Sequence, residues 1–98
     1  MAENRLEQTE ASIRRGVNEV GEKYGTAVKP GQSPVEQYLN CDSLHVAREA
    51  LLNKLISYDA MVMPGSPLMD KGVTALEKHE MPAQCSTYKP PKGPRIIV

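Results

Sequence analysis

Two cysteines and two histidines supply the thiol and imidazole chemistry of this 98-residue chain, and they fall into two groups. Cys41 and His45 stand at C-x3-H, which on a continuous helix puts both on one face. His79 and Cys85 stand at H-x5-C. A Cys2His2 set can hold a tetrahedral zinc ion, so Cys41, His45, His79 and Cys85 are the candidate metal ligands. The spacing is loose, because neither half is a C-x2-C knuckle. The competing reading makes both cysteines small buried residues and leaves the histidines at helix surfaces. Cys41 and His45 also have the makings of a thiolate–imidazole nucleophile, but such a site needs an orienting group and an oxyanion hole, and nothing in the sequence specifies either. The chain has no Gly-rich phosphate loop, HExxH, GxSxG or paired-carboxylate signature. The expectation is therefore a protein that is not an enzyme, with no catalytic residues and no cofactor.

The elements that must position these residues read as helices. Leu6, Ile13, Val17, Val20 and Tyr24 draw one apolar stripe along an N-terminal helix, with Glu10–Arg14 and Glu19–Lys23 as acid-before-base pairs and Gly25 as its expected C-cap. Gly16 and Gly21 weaken that helix, so it needs a partner surface to pack on. The stretch 25–32 is a loop by composition. "SPVE" then sets Ser33 as N-cap, Pro34 at the first helical position and Glu36 to close a capping box.

From Pro34 to Val62 the apolar residues change face. Val35, Tyr38, Leu39 and Val46 share one side; Leu44, Ala47, Leu51, Leu55, Tyr58 and Val62 lie opposite, with Leu52 and Ile56 widening that second stripe. Either the helix breaks near Asn40-Cys41-Asp42-Ser43 and restarts at Asp42 or Ser43, or one long helix is buried on two sides. A continuous helix would leave a face that so short a chain cannot cover, making a second subunit its natural cover. A third helix runs from Pro67, capped by Ser66, to about His79, with Leu68, Met69, Val73 and Leu76 as its stripe. Met61, Met63, Met69 and Met81 cluster around that turn and suit either an adaptable groove or ordinary core filling.

Beyond Pro82 the helical period stops. "KPPKGPRIIV", Lys89 to Val98, is extended by its prolines, cationic, and apolar at its far end. Twelve basic and twelve acidic residues cancel overall, but residues 1–81 carry a net −3 and residues 82–98 a net +3. The tail thus complements the body of its own kind. A PxxP at Pro91 and Pro94 lacks the flanking basic residue that orients SH3 ligands. Lys71 and Lys78 stand among acids on the third helix, too little positive charge for a reader of DNA, so nucleic acid is not the expected partner.

The fold class expected is all-α: a small domain of three to four helices over 1–81, a helical hairpin plus an N-terminal packing helix, with an extended Pro-rich C-terminal arm over 82–98. The function expected is a non-catalytic assembly or adaptor protein, a multi-subunit or virion-type structural component. It would self-associate through Leu6, Ile13, Val17, Val20, Leu44, Leu51, Leu55 and Tyr58. Its arm would clasp a neighbouring copy or larger protein through Lys89, Lys92, Arg95, Ile96, Ile97 and Val98. The alternative is a small helical inhibitor or regulator, of a virus-encoded kind, binding a host protein or small ligand; the third reading is a zinc- or DNA-binding helical domain. Two cysteines do not make a disulfide scaffold, although a single Cys41–Cys85 bridge is compatible with the sequence. With no signal segment and no apolar run approaching about 18 residues, the chain reads as cytoplasmic or intracellular-type and soluble, virions included, with no membrane partner.

Overall fold

A computed structural model describes residues 2–61 and 66–90, with side chains from Leu6 onward. Its elements are α1 (Ala2–Ala27), α2 (Pro34–Asp59), α3 (Pro67–Lys78) and a single 3-10 turn at Ala83–Cys85. The protein is all-α, and α1, α2 and α3 pack on one another in every pairing. No helix among the described residues is long and apolar enough to cross a membrane.

The end of α1 shows how local chemistry moves a boundary. Gly25 does not cap it, because the helix continues to Ala27. Its terminal carbonyls are met instead by two glutamines from the chain ahead. Gln32 Nε2 donates to Thr26 O at 3.0 Å and Gln37 Nε2 donates to Ala27 O at 2.9 Å. Asn40 in turn donates to Gln32 Oε1 and holds that side chain in place. Gly31, at φ 79°, takes the left-handed conformation that lets the loop double back.

The capping box forms as its sequence requires. Ser33 Oγ accepts from Glu36 N at 3.2 Å and Glu36 Oε1 accepts from Ser33 N at 3.4 Å. The helix then runs unbroken through Asn40–Ser43 to Asp59. Asp42 caps nothing; its carboxylate accepts from Tyr88 Oη at 2.6 Å, and its neighbours Cys41 and Leu44 are fully buried. Tertiary packing thus outweighs the local stop signal.

The core lies between the three helices. Ile13, Val20 and Ala27 of α1 meet Leu44, Ala47, Leu51, Leu55 and Tyr58 of α2, and Leu68 and Ala75 of α3 close the third side. Ile13, Leu44 and Leu51 are 0 % exposed, and full burial of such side chains is worth about 1.5–3 kcal/mol each. Met69 and Met81 pack against this cluster as core filling, whereas Met61 is exposed. At Gly72 α3 comes so near α2 that an added Cβ would stand 2.8 Å from Leu55 Cδ1.

Buried polar atoms are placed with equal care. Tyr58 Oη donates to Glu10 Oε2 at 2.9 Å and lies 3.1 Å from Ser66 Oγ. Ser66 therefore turns toward Tyr58 and makes no side-chain cap for α3, contrary to expectation. At the other end of α3, Arg48 Nη1 donates at 2.6 Å to both Leu76 O and His79 O. A cation thus closes the negative end of the helix dipole.

Cys41 and Cys85 are joined by a disulfide, with their Cα atoms 5.7 Å apart. The bond ties the N-terminal third of α2 to the 3-10 turn, 44 residues along the chain. Chain-entropy reasoning gives a crosslink over such a loop about 4 kcal/mol.

Candidate functional site

The unbroken α2 has two apolar faces, and only one is covered. Val35, Asp42, Glu49 and Ile56 recur every seventh residue, and Leu39, Val46 and Asn53 form the line beside them. The two lines form a mixed seam along one face of α2, apolar at Val35, Leu39, Val46 and Ile56 and polar at Asp42, Glu49 and Asn53. The seam faces outward: Val35 is 69 %, Leu39 57 % and Ile56 61 % exposed, with Val46 and Leu52 also open. Leu52 and Ile56 do not widen the inner stripe as expected but lie toward this outer side. The most exposed of them, Val35, Leu39 and Ile56, fall toward the two ends of this face, with Asp42 and Glu49 between them.

Charge gives the seam a sign. Its apolar residues flank two carboxylates, Asp42 and Glu49, while the nearest cations of α2 point elsewhere. Arg48 is committed to the end of α3, and Lys54 reaches back to Ser12 O at 3.4 Å. The 82–90 segment comes in along one flank of the seam. Tyr88 is buried there, with its ring 5.3 Å from that of Tyr38 and 6.0 Å from that of His45. Beside the disulfide a cavity of about 200 Å³ is lined by Gln37, Tyr38, Cys41, Gln84, Thr87 and Tyr88. A larger open concavity, about 560 Å³ between α1 and α2, is lined by Arg15, Lys54 and uncharged polar residues.

The candidate metal set is corrected by this arrangement. The disulfide removes both thiolates, and no group of three or more His, Cys, Asp or Glu side chains suited to a metal forms among the described residues. His45 lies beside Tyr88, whereas His79 lies tilted against Tyr24 with ring centres 4.8 Å apart. Burial, with help from Lys78 and Arg48, pushes the His79 imidazole below its ordinary pKa, and its Nδ1 is buried without a hydrogen-bond partner. The Cys41–His45 nucleophile fails for the same reason, since a disulfide sulfur is not a thiolate.

The expected self-association residues are corrected as well. Ile13, Val20, Leu44, Leu51, Leu55 and Tyr58 are core, and Leu6 and Val17 pack against it. The covering surface for the inner stripe of α2 is α1 of the same chain. Of the arm residues, Lys89 is exposed, and Lys92, Arg95, Ile96, Ile97 and Val98 lie outside the described residues. Tyr88 was not singled out from sequence; a lone aromatic just ahead of the proline run is the only hint it offered.

These features define an all-α domain of three helices whose C-terminal segment is bonded to the central helix. No protein-family model matches the chain, and no match is found among curated proteins or solved structures.

Proposed function

We propose that this protein is a non-catalytic assembly or adaptor element that self-associates. The outer seam of α2 in one copy receives the C-terminal arm of another. The observation that carries this reading is the seam itself: apolar residues exposed at both ends, with Asp42 and Glu49 between them. Pairing two copies of α2 seam to seam would bring like charges together at its centre, which is unfavourable. A basic and apolar partner suits it better. The arm supplies Lys89, Lys92 and Arg95 for the carboxylates and Ile96, Ile97 and Val98 for the apolar positions.

The test is absolute mass by light scattering for three proteins: the whole chain, a chain ending at Pro90, and a Leu39→Asp/Ile56→Asp variant. Ending at Pro90 keeps Cys85 and Tyr88 in place. The whole chain is expected to be oligomeric, with both changes shifting it toward monomer. A truncated chain that assembles unchanged would remove the arm from the mechanism. A monomeric whole chain would refute self-assembly and move the seam to a foreign protein partner.

A further inference from the structure

The disulfide joins α2 to a short segment that is otherwise held through the side chains of Tyr88, against Tyr38, His45 and Asp42, and of Gln84. In residues 82–90 only Cys85 and Tyr88 are buried, and the 3-10 turn packs on α2. Most of the segment's backbone bonds close on itself: Cys85 N to Pro82 O, Ser86 N to Ala83 O and Tyr88 N to Cys85 O. Its hydrogen bonds to the helical body include Gln84 Nε2 to Val28 O at 3.2 Å and Tyr88 Oη to Asp42 Oδ1 at 2.6 Å. The three helices meanwhile pack on one another without it. The cavity lined by Gln37, Tyr38, Gln84, Thr87 and Tyr88 also touches Cys41, but both half-cystines are buried, at 1 % and 5 % exposure, so a thiol reaches the bond when the 82–90 segment lifts from α2.

We propose that Cys41–Cys85 is a redox latch, opened by a small dithiol reductant, that holds residues 82–90 against α2 and releases them when reduced. A reductant thiolate attacks one sulfur and breaks the S–S bond. It forms a mixed disulfide with that cysteine while the other leaves as a thiolate and takes up a proton. The second reductant thiol then attacks the mixed disulfide and frees the second cysteine. Two electrons and two protons pass to the protein, and the reductant becomes a cyclic disulfide. Release uncovers the sides of Tyr38, Asp42 and His45 that Tyr88 covers and frees the nine residues 82–90, roughly 30 Å of extended chain. This effect on assembly rests on the function proposed above. A reducing cytosol would hold the latch open and an oxidising compartment or particle would hold it closed.

Thiol titration under denaturing conditions should first find no free thiol in the air-oxidised protein. Hydrogen exchange by mass spectrometry, far-UV circular dichroism and light scattering then compare that protein with its dithiothreitol-reduced form and with Cys41→Ser/Cys85→Ser. Reduction and the double variant are each expected to speed exchange at residues 83–89 at least tenfold, while the interiors of α1, α2 and α3 stay protected and helicity holds. Free thiols in the oxidised protein, unchanged exchange at 83–89, or collapse of helicity on reduction would each overturn the latch; the last would make the bond a staple of the whole fold. Faster exchange with unchanged mass upholds the latch and counts against the assembly reading alone.

Discussion

Arg48 and His79, 31 residues apart, meet where the guanidinium donates to the His79 carbonyl at 2.6 Å and to that of Leu76 at the same distance. One side chain of α2 thereby terminates α3. Hydrogen bonds to charged groups contribute about 1.5–3 kcal/mol. Arg48→Met, which keeps much of the stem, is expected to cost about 2 kcal/mol in a denaturant titration, with Arg48→Lys intermediate because one amine cannot reproduce the planar fork.

His79 gives stability a pH dependence. Its folded pKa lies below the ordinary 6.5, through burial first and then Lys78 and Arg48. The unfolded chain therefore takes up the proton first as pH falls. The contribution of this group is fully present above the unfolded pKa and is lost as pH drops through the folded value. Melting temperature should fall below about pH 6.5 by more in the wild type than in His79→Gln, which cannot titrate. Equal slopes would remove His79 as the cause.

The glycines divide sharply by environment. Gly72→Ala drives a methyl to 2.8 Å from Leu55 Cδ1, and overpacking of that kind costs about 1–3 kcal/mol. Gly25 is helical and an added Cβ there meets nothing within 4 Å, so Gly25→Ala should stabilise by about 0.5–1 kcal/mol. Urea midpoints of the two variants should move in opposite directions.

The outer seam should tolerate charge in the folded monomer. Leu39 and Ile56 are more than half exposed, so Leu39→Asp and Ile56→Asp are each expected to change unfolding free energy by no more than about 0.5 kcal/mol, measured at a concentration where the protein is monomeric. A larger loss would mean that the seam packs against this same chain.

Much of the helical order was legible in the sequence because it is locally encoded. The Ser33–Glu36 box, the Pro34 and Pro67 starts, the α1 stripe and the two faces of α2 all depend on residues within a few turns of each other. The errors share the opposite property. Gly25 failed as a cap because Gln32 and Gln37 supply the caps from farther along, and Ser66 because Tyr58 captures its hydroxyl. Of the two readings left open for α2 the continuous helix holds, with Cys41 and Leu44 buried in it and Asp42 bonded to Tyr88, 46 residues away. The stripes assigned to self-association were correctly recognised as apolar, but periodicity does not say whether a face meets its own chain or another. The Cys41–Cys85 pairing lay beyond local reading too, since two Cys and two His residues at such loose spacing fit a metal or a bond alike.

The covalent path through the molecule is shorter than its backbone. A pull applied to the two ends of the chain travels along α1 and the first turns of α2, crosses from Cys41 to Cys85, and leaves through Tyr88 and Pro90. Residues 42–84, with all of α3 and most of α2, sit on a side loop that carries no tension while the bond holds. An assembly linked through its C-terminal arms would therefore transmit load past the α2–α3 hairpin, and only a reduced chain could be stretched to its full contour.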